Sequence, residues 1–201
     1  LGLSVWTMVQ NFLSLATWFI FFLSIEHLGE QPLAATNIIR NISSFTFMAV
    51  VALASTASTL VSNLMGQGEP QSVAPMLRRT IIMAYSILIP ILLLIAIFPT
   101  EVMRIFTTDA PLMEAARVAL YVQLTSYIFS IPAQILFHAV SGTGNTRVAF
   151  AIEIGTLVVY TFYVVVAIFH LRLSLPWCWA SEIVYSSIVL VLCYLYMRSN
   201  K

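Results

Sequence analysis

The stretch from Leu33 to Gly68 limits what this chain can become more than any other. After Arg40 it carries no charged residue before Glu69. Crossing a bilayer as one helix needs ~20 apolar residues, and this stretch exceeds that. Its polar residues are ordered. Asn37, Arg40, Asn41 and Ser44 share one helical face, and Ser55, Ser58, Thr59 and Ser62 repeat their spacing. A membrane helix with a polar stripe and an embedded arginine has to turn that stripe away from lipid, toward other helices or water.

Composition gives the same class. Of 201 residues, 60% are hydrophobic and 8% charged, whereas a soluble domain carries roughly 25% charged residues. The chain is therefore read as an integral, multi-pass protein of the cell (inner or plasma) membrane. A net charge of +1 argues against nucleic acid as a partner. Cys178 and Cys193 fall within or beside one apolar segment and are read as buried thiols. His27, His138 and His170 are far apart in sequence, and no Cys/His cluster has metal-ligand spacing. No cleavable signal peptide is visible. The chain opens on Leu1 rather than Met, which predicts a fragment or a trimmed chain.

Hydropathy predicts an all-α bundle of six spans, at about 3–24, 33–64, 77–98, 112–138, 148–170 and 176–197. Together they make one domain over residues 1–201. Pro90 and Pro132 lie inside the third and fourth spans and are expected to kink them. Gly66 to Pro70 breaks the second span, and Gln71 to Arg79 is an amphipathic lead-in to the third. Thr100 to Glu114 reads as a charge-rich loop in which Asp109 and Pro111 start a helix. With the N-terminus inside, the inner loops hold Arg78, Arg79, Arg147, Arg198 and Lys201, and the outer loops Arg104, Arg117 and Arg172. That bias predicts both termini in the cytoplasm.

Polar stripes recur. Thr7, Gln10, Ser14 and Thr17, with Asn11 beside them, mark the first span, and Gln123, Ser126, Ser130, Gln134 and His138 the fourth. Glu153, Thr156, Tyr160 and Tyr163 mark the fifth, and Glu182 with Tyr185 and Ser186 the sixth. The third is nearly bare and is expected to face lipid. Serine and threonine stripes commonly serve only to let helices approach, at ~0.6 kcal/mol per contact, and Ser55 to Ser62 reads that way. The Asn37–Arg40–Asn41 cluster reads as functional, because a charge at the bilayer centre costs roughly 2.5–3.5 kcal/mol. Depth predicts that Arg40 pairs with Glu182 or Glu26, as a static clamp or as a coupling switch. Glu153 is expected to snorkel or meet Arg147, or else to line an inner vestibule. Tyr127, Tyr160 and Tyr163 offer ring faces to an organic cation. The stripes together predict one shared wet crevice.

No GxxxxGK[ST] or GxGxxG motif is present, and no nucleophile has a base beside it in sequence. The expectation is a non-enzyme without cofactor or metal.

Four segments carry a family resemblance: HLGEQPLAATNI (His27 to Ile38), STLVSNLMGQGEP (Ser58 to Pro70), IFTTDAPLMEAA (Ile105 to Ala116) and AVSGTGNTRVAF (Ala139 to Phe150). In these the chain resembles the multidrug and toxic compound extrusion (MATE) transporters, over essentially its whole length. The resemblance implies twelve helices in two six-helix lobes around a cleft of alternating access, of which this chain is one lobe. The polar tail MRSNK favours the C-terminal lobe. It further implies a secondary active antiporter for small organic, often cationic, compounds. A proton or sodium ion is the implied coupling cation, and the other lobe and the bilayer are the implied partners. One branch of the family carries carboxylates in the first and fourth helices of this lobe, and those positions fall near Ser14 and Ser130 here. Coupling would then use Glu182, Glu26 or Glu153, or lie in the other lobe. A flippase for lipid-linked saccharides is one alternative, disfavoured because Arg40 is the single intramembrane cation. A non-transporting membrane scaffold is another, disfavoured by ordered stripes on five of six helices.

Overall fold

A computed structural model describes residues 2–199, with side chains placed for residues 8, 9 and 12–199. Its elements are α1 (Gly2–Glu26), α2 (Glu30–Gly66), a 3-10 turn (Pro70–Ser72), α3 (Val73–Ile97), α4 (Pro99–Arg104) and α5 (Ala110–Gly142). They continue with α6 (Thr146–Val165), a π turn (Val166–His170), α7 (Leu175–Trp179) and α8 (Ser181–Ser199). No strand occurs among the described residues. Five helical stretches there are long and apolar enough to cross a membrane, and the described apolar part of α1, Phe12–Glu26, is shorter.

Short connections make the long helices run up and down. The starts of α3 and α6 and the ends of α2, α5 and α8 share one end of the bundle. There Ser62 on α2 donates to the Gly142 carbonyl at 2.8 Å, and Asn145 donates to the Tyr196 hydroxyl at 3.0 Å. Glu26, Glu30, His170 and Leu175 lie at the opposite end, where the His27 and Phe169 rings are 5.2 Å apart. Glycine makes the turns between helices: Gly29 has φ 116° and Gly68 φ 76°, values that L side chains rarely adopt.

The central helix is α5, which packs most extensively on α2, then on α8, and also on α3, α6 and α7. It buries residues over most of its circumference, including Leu120, Tyr127, Ile131, Ile135 and Val140, and leaves one exposed face at Val118, Tyr121, Thr125 and Ile128. Its start is set by Asp109, whose carboxylate accepts from the Leu112 amide at 3.4 Å, followed by Pro111 in the first turn. Its end lies against α2. A Cβ on Gly142 would come within 2.5 Å of the Ser58 carbonyl oxygen, so the two backbones touch there.

Pro132 sits inside α5 without ending it. It has no amide for the Ile128 carbonyl one turn earlier. The Tyr85 hydroxyl of α3 donates to that carbonyl instead. In the same way Tyr121 on α5 donates to the Ala96 carbonyl in the last turn of α3 at 3.3 Å, a group with no intrahelical partner. The third span is thus tied to α5 by two tyrosines. Ile82, Met83, Ile87 and Leu94 point outward from α3, and Leu77, Ala84 and Leu88 point into the bundle.

The structure corrects one sequence expectation and adds internal detail to two spans. The charged segment from Thr100 to Glu114 is not all loop, because Pro99 starts the short helix α4. The sixth span is divided by a turn at Ala180 into α7 and α8. The fifth does not end as an α-helix but in the π turn that precedes Leu171.

Two substitutions test this packing by thermal unfolding in detergent. Gly142→Ala pushes α2 and α5 apart and should cost about 1–3 kcal/mol. Gly155→Ala, where a Cβ meets nothing within 4 Å, should be neutral or stabilising. Equal melting temperatures for the two would contradict the close approach. Tyr85→Phe leaves the Ile128 carbonyl without a donor and should cost ~0.6–1.7 kcal/mol, whereas Tyr194→Phe at an exposed position should not.

Candidate functional site

Two polar surfaces stand out. The first is inside the bundle, where α1, α6 and α8 meet around Glu153, a side chain only 2% exposed. Its two carboxylate oxygens each accept one hydroxyl. Ser14 of α1 donates to Oε1 at 2.6 Å, and Tyr185 of α8 donates to Oε2 at 2.9 Å. The Tyr185 ring meets the Tyr160 ring edge-on, with centroids 6.0 Å apart. Tyr160, 4% exposed, donates in turn to Glu182 Oε1 at 3.4 Å. Ser14, Glu153, Tyr185, Tyr160 and Glu182 therefore follow one another through the interior. At ~1.5 Å of rise per residue, Glu153 is about 10 Å from the start of α6, and Glu182 about 10 Å from the opposite end of the bundle. The row runs along the helix axes.

Helical phase explains the arrangement. Glu153, Thr156 and Tyr160 repeat at the spacing of one buried face of α6, and all three are buried. Ser181, Tyr185 and Cys193 put the facing side of α8 inward. The aromatic block Trp18, Phe21, Phe22 and Trp179 closes this interior toward the Glu26 end, with the Phe21 and Trp179 rings 5.6 Å apart.

The second surface is the outward face of α2. Arg40, Asn41 and Ser44 are exposed, and so are Ser55 and Thr59 further along. The Arg40 guanidinium lies over the Phe22 ring, 5.0 Å from its centroid. Asn37 is half-buried and donates to the Leu33 carbonyl at 3.1 Å. Ser44 and Thr59 bond to carbonyls of their own helix, Arg40 and Ser55 respectively. Ser58 and Ser62 of the second stripe sit at the α5 contact, the helix-packing role that their chemistry suggests.

Several expectations about the site do not hold. Arg40 forms no ion pair with Glu182 or Glu26: among the described residues the ion pairs are Arg104–Glu101 and Arg117–Glu114. The arginine faces outward on α2, whereas Glu182 is turned toward Tyr160 in the interior. Glu26 is exposed at the end of α1 and joins neither surface. Glu153 does not reach back to Arg147, because its buried face turns it toward Ser14 and Tyr185. Among the described residues the polar side chains thus do not share one crevice. Ser130 is buried and Gln134 half-buried on α5, without a described contact to either carboxylate. Gln10 and Asn11 lie outside the described side chains.

Two shallow depressions occur, of about 360 Å³ beside Tyr85 and Pro90 and about 250 Å³ between His27 and Arg172. Neither includes a residue of the two polar surfaces. Among the described residues no three His, Cys, Asp or Glu side chains cluster as metal ligands would. What the interior row can do is take up, hold and release a proton or a small cation at oxygen atoms. Sequence reasoning placed Tyr185 beside Glu182 and missed its bond to Glu153. The signal was available, since Tyr185 lies one turn past Ser181 on the buried side of α8.

A double-mutant cycle measures the interior tie. Ser14→Ala or Tyr185→Phe should each cost ~0.6–1.7 kcal/mol in the wild-type background. Tyr185→Phe should cost close to nothing once Glu153→Leu is in place. Equal costs in both backgrounds would mean that the hydroxyl does not act on Glu153.

Known proteins share this architecture. The chain is 26% identical over 194 residues to the probable multidrug resistance protein NorM of Thermotoga maritima, a match covering 94% of this chain and 42% of that protein. It therefore spans less than half the length of that relative. A crystal structure of a MATE protein in complex with MaL6 superposes with a TM-score of 0.84 at 14% identity, covering 98% of this chain and 44% of that one. The outward-facing conformation of a multidrug resistance MATE family transporter gives 0.83, also at 14% identity and with the same coverage. A MOP superfamily transporter from Pyrococcus furiosus gives 0.79 at 13% identity, covering 97% of this chain and 42% of that one. The MatE family model matches residues 7–175, and the chain belongs to that family as an all-α membrane protein with the extent of one six-helix lobe.

Proposed function

We propose that this chain is one lobe, the C-terminal one, of a secondary active antiporter that exports organic, often cationic, compounds. In this reading a second six-helix lobe faces α2 across a cleft, and both termini are cytoplasmic. The observation that carries the reading is the exposed polar face of α2. Arg40 is about 15 Å into a helix of 37 residues. With Asn41 and Ser44 it points out of the bundle. Acyl chains against that face would meet a charge and two polar groups at a cost of several kcal/mol. Water and a second lobe relieve that cost.

The buried row supplies the coupling. Its carboxylates sit away from the α2 face, so ion and substrate occupy different places in the lobe. Glu153 is the better candidate for the coupling group, because two hydroxyls already hold its geometry. Its Ser14 contact also lies where the related branch of transporters carries an acid on the first helix. The coupling cation is a proton or a sodium ion.

The test is transport of a fluorescent organic cation in liposomes with the full-length protein, under proton and sodium gradients imposed separately. One gradient should drive efflux. Glu153→Gln should lower gradient-driven flux at least ~10-fold, while substrate exchange without a gradient persists. Arg40→Ala should weaken substrate binding and leave the ion dependence intact. If neither gradient moves the substrate, the antiporter reading fails for that class of compound.

A further inference from the structure

At the Glu26–Leu175 end of the bundle, the turn after α1 meets the end of the π turn. His27, Leu28, Ile168, Phe169 and Arg172 line the depression of about 250 Å³ there. Its lining is divided by chemistry. Leu28, Ile168 and Phe169 are apolar, whereas His27 and Arg172 bring nitrogen donors. The Phe169 and His27 rings lie 5.2 Å apart. Among the described residues neither His27 nor Arg172 has an ion pair. Glu26 and Glu30 are exposed at the same end, but neither lines the depression.

Arg172 holds its place against a backbone cost. Its φ is 44°, and among the described residues no other non-glycine has a positive φ. That region crowds a Cβ, and a helix that ends in it usually has glycine there. The Leu171 amide donates to the Val166 carbonyl at 3.0 Å and the Leu173 amide to the Ala167 carbonyl at 2.9 Å, which fixes the turn around Arg172. Glycine takes such angles without strain, as Gly29, Gly68 and Gly144 do in the other turns. A side chain kept at a strained position points to a use for that side chain. The position is also level with a membrane surface. His27 directly follows α1, and Arg172 comes two residues after the span Thr146–His170. Phe169 is 47% exposed and Leu171 61%, so open apolar surface borders the two donors. A soluble anion has no need of that border, whereas a lipid phosphate does.

We propose that this depression binds the phosphate of an anionic phospholipid, with the glycerol and first acyl carbons against Leu28, Phe169 and Leu171. The planar guanidinium of Arg172 can donate two hydrogen bonds to phosphate oxygens and carries the opposite charge. His27 donates one more from a ring nitrogen, which a histidine can do whether neutral or protonated. The space of about 250 Å³ is below the ~300–1,000 Å³ of a drug-sized pocket and suits a head group. Among the described residues no carboxylate lines it to meet the ammonium of a zwitterionic head group. The fitting lipid is therefore one whose head group carries no cation, such as phosphatidylglycerol. The site shares no residue with the Glu153 row or the α2 face, and it does not depend on the transport reading.

The test uses the delipidated full-length protein in detergent, titrated with phosphatidylglycerol and read by native mass spectrometry. Phosphatidylethanolamine and glycerol 3-phosphate are the comparison ligands. The wild type should hold one phosphatidylglycerol at least ~10-fold more tightly than either. Arg172→Gly removes the donor and the backbone strain together. It should lower the affinity for phosphatidylglycerol at least ~10-fold, without lowering the melting temperature of the lipid-free protein. His27→Phe keeps an aromatic ring beside Phe169 and removes the donor, and it should weaken the same binding at least ~3-fold. Equal binding of phosphatidylethanolamine, phosphatidylglycerol binding unchanged in either variant, or a lowered melting temperature for lipid-free Arg172→Gly would each overturn the proposal. Glycerol 3-phosphate bound as tightly as phosphatidylglycerol would make the ligand a soluble phosphate ester and overturn the lipid assignment. Failure of organic-cation transport alone would overturn the antiporter reading and leave this site standing.

Discussion

Inside a bilayer there is no solvent to satisfy a polar group, so the protein has to satisfy it. That constraint accounts for most of the side-chain chemistry of this lobe. Ser24, Thr80, Thr125 and Thr156 each bond to a carbonyl one turn back on their own helix. Tyr85 and Tyr121 answer carbonyls that a proline and a helix end leave free. Tyr163 donates to the Trp177 carbonyl at 2.9 Å and so ties α6 to α7. Glu153, the most costly group of all to bury, receives two hydroxyls from two different helices. What the constraint leaves over is informative: exposed polar side chains on α2 at Arg40, Asn41 and Ser44.

The architecture follows from one enclosed helix. Because α5 is covered on most sides, its neighbours need only one apolar face each. Small residues set the spacing of its closest contact, where Gly142 meets the Ser58 backbone. Ala54, Ala57 and Ala139 are buried in the same core as Val61 and Ile135. The polar row is carried by α1, α6 and α8, whereas the stripe is carried by α2. Between α2 and α8 lies α5, which packs on both.

Much of the fold was legible in the sequence, because hydropathy and helical spacing report what lipid demands. The Asp109–Pro111 helix start, the Gly66–Pro70 break and the buried faces of α6 were all readable from residue order. The split at Ala180 and the π turn before Leu171 were not, since an apolar run has the same hydropathy whether or not it turns once inside. The site was less legible. Spacing along a helix gives its face but not its rotation against a neighbour. Depth alone therefore points Arg40 to Glu182 or Glu26, and among the described residues it pairs with neither. Local position points Glu153 to the interface, to Arg147 or to an inner vestibule, when its partners come from residues 139 upstream and 32 downstream. A carboxylate shared among three helices is a tertiary fact, and no local pattern encodes it.

The central claim is that two polar layers exist, an open one on α2 and a closed one behind it. Thiol accessibility tests it directly, because the native Cys178 and Cys193 are both buried. Single cysteines would be placed along α2, and at Ser14 of α1, in the full-length protein in native membranes and treated with a membrane-impermeant, water-soluble thiol reagent. The account predicts rapid labelling of Asn41→Cys, Ser44→Cys, Ser55→Cys and Thr59→Cys, and protection of Ile42→Cys, Ala54→Cys and Ser14→Cys. Protection of the α2 stripe together with labelling at Ser14 would contradict it.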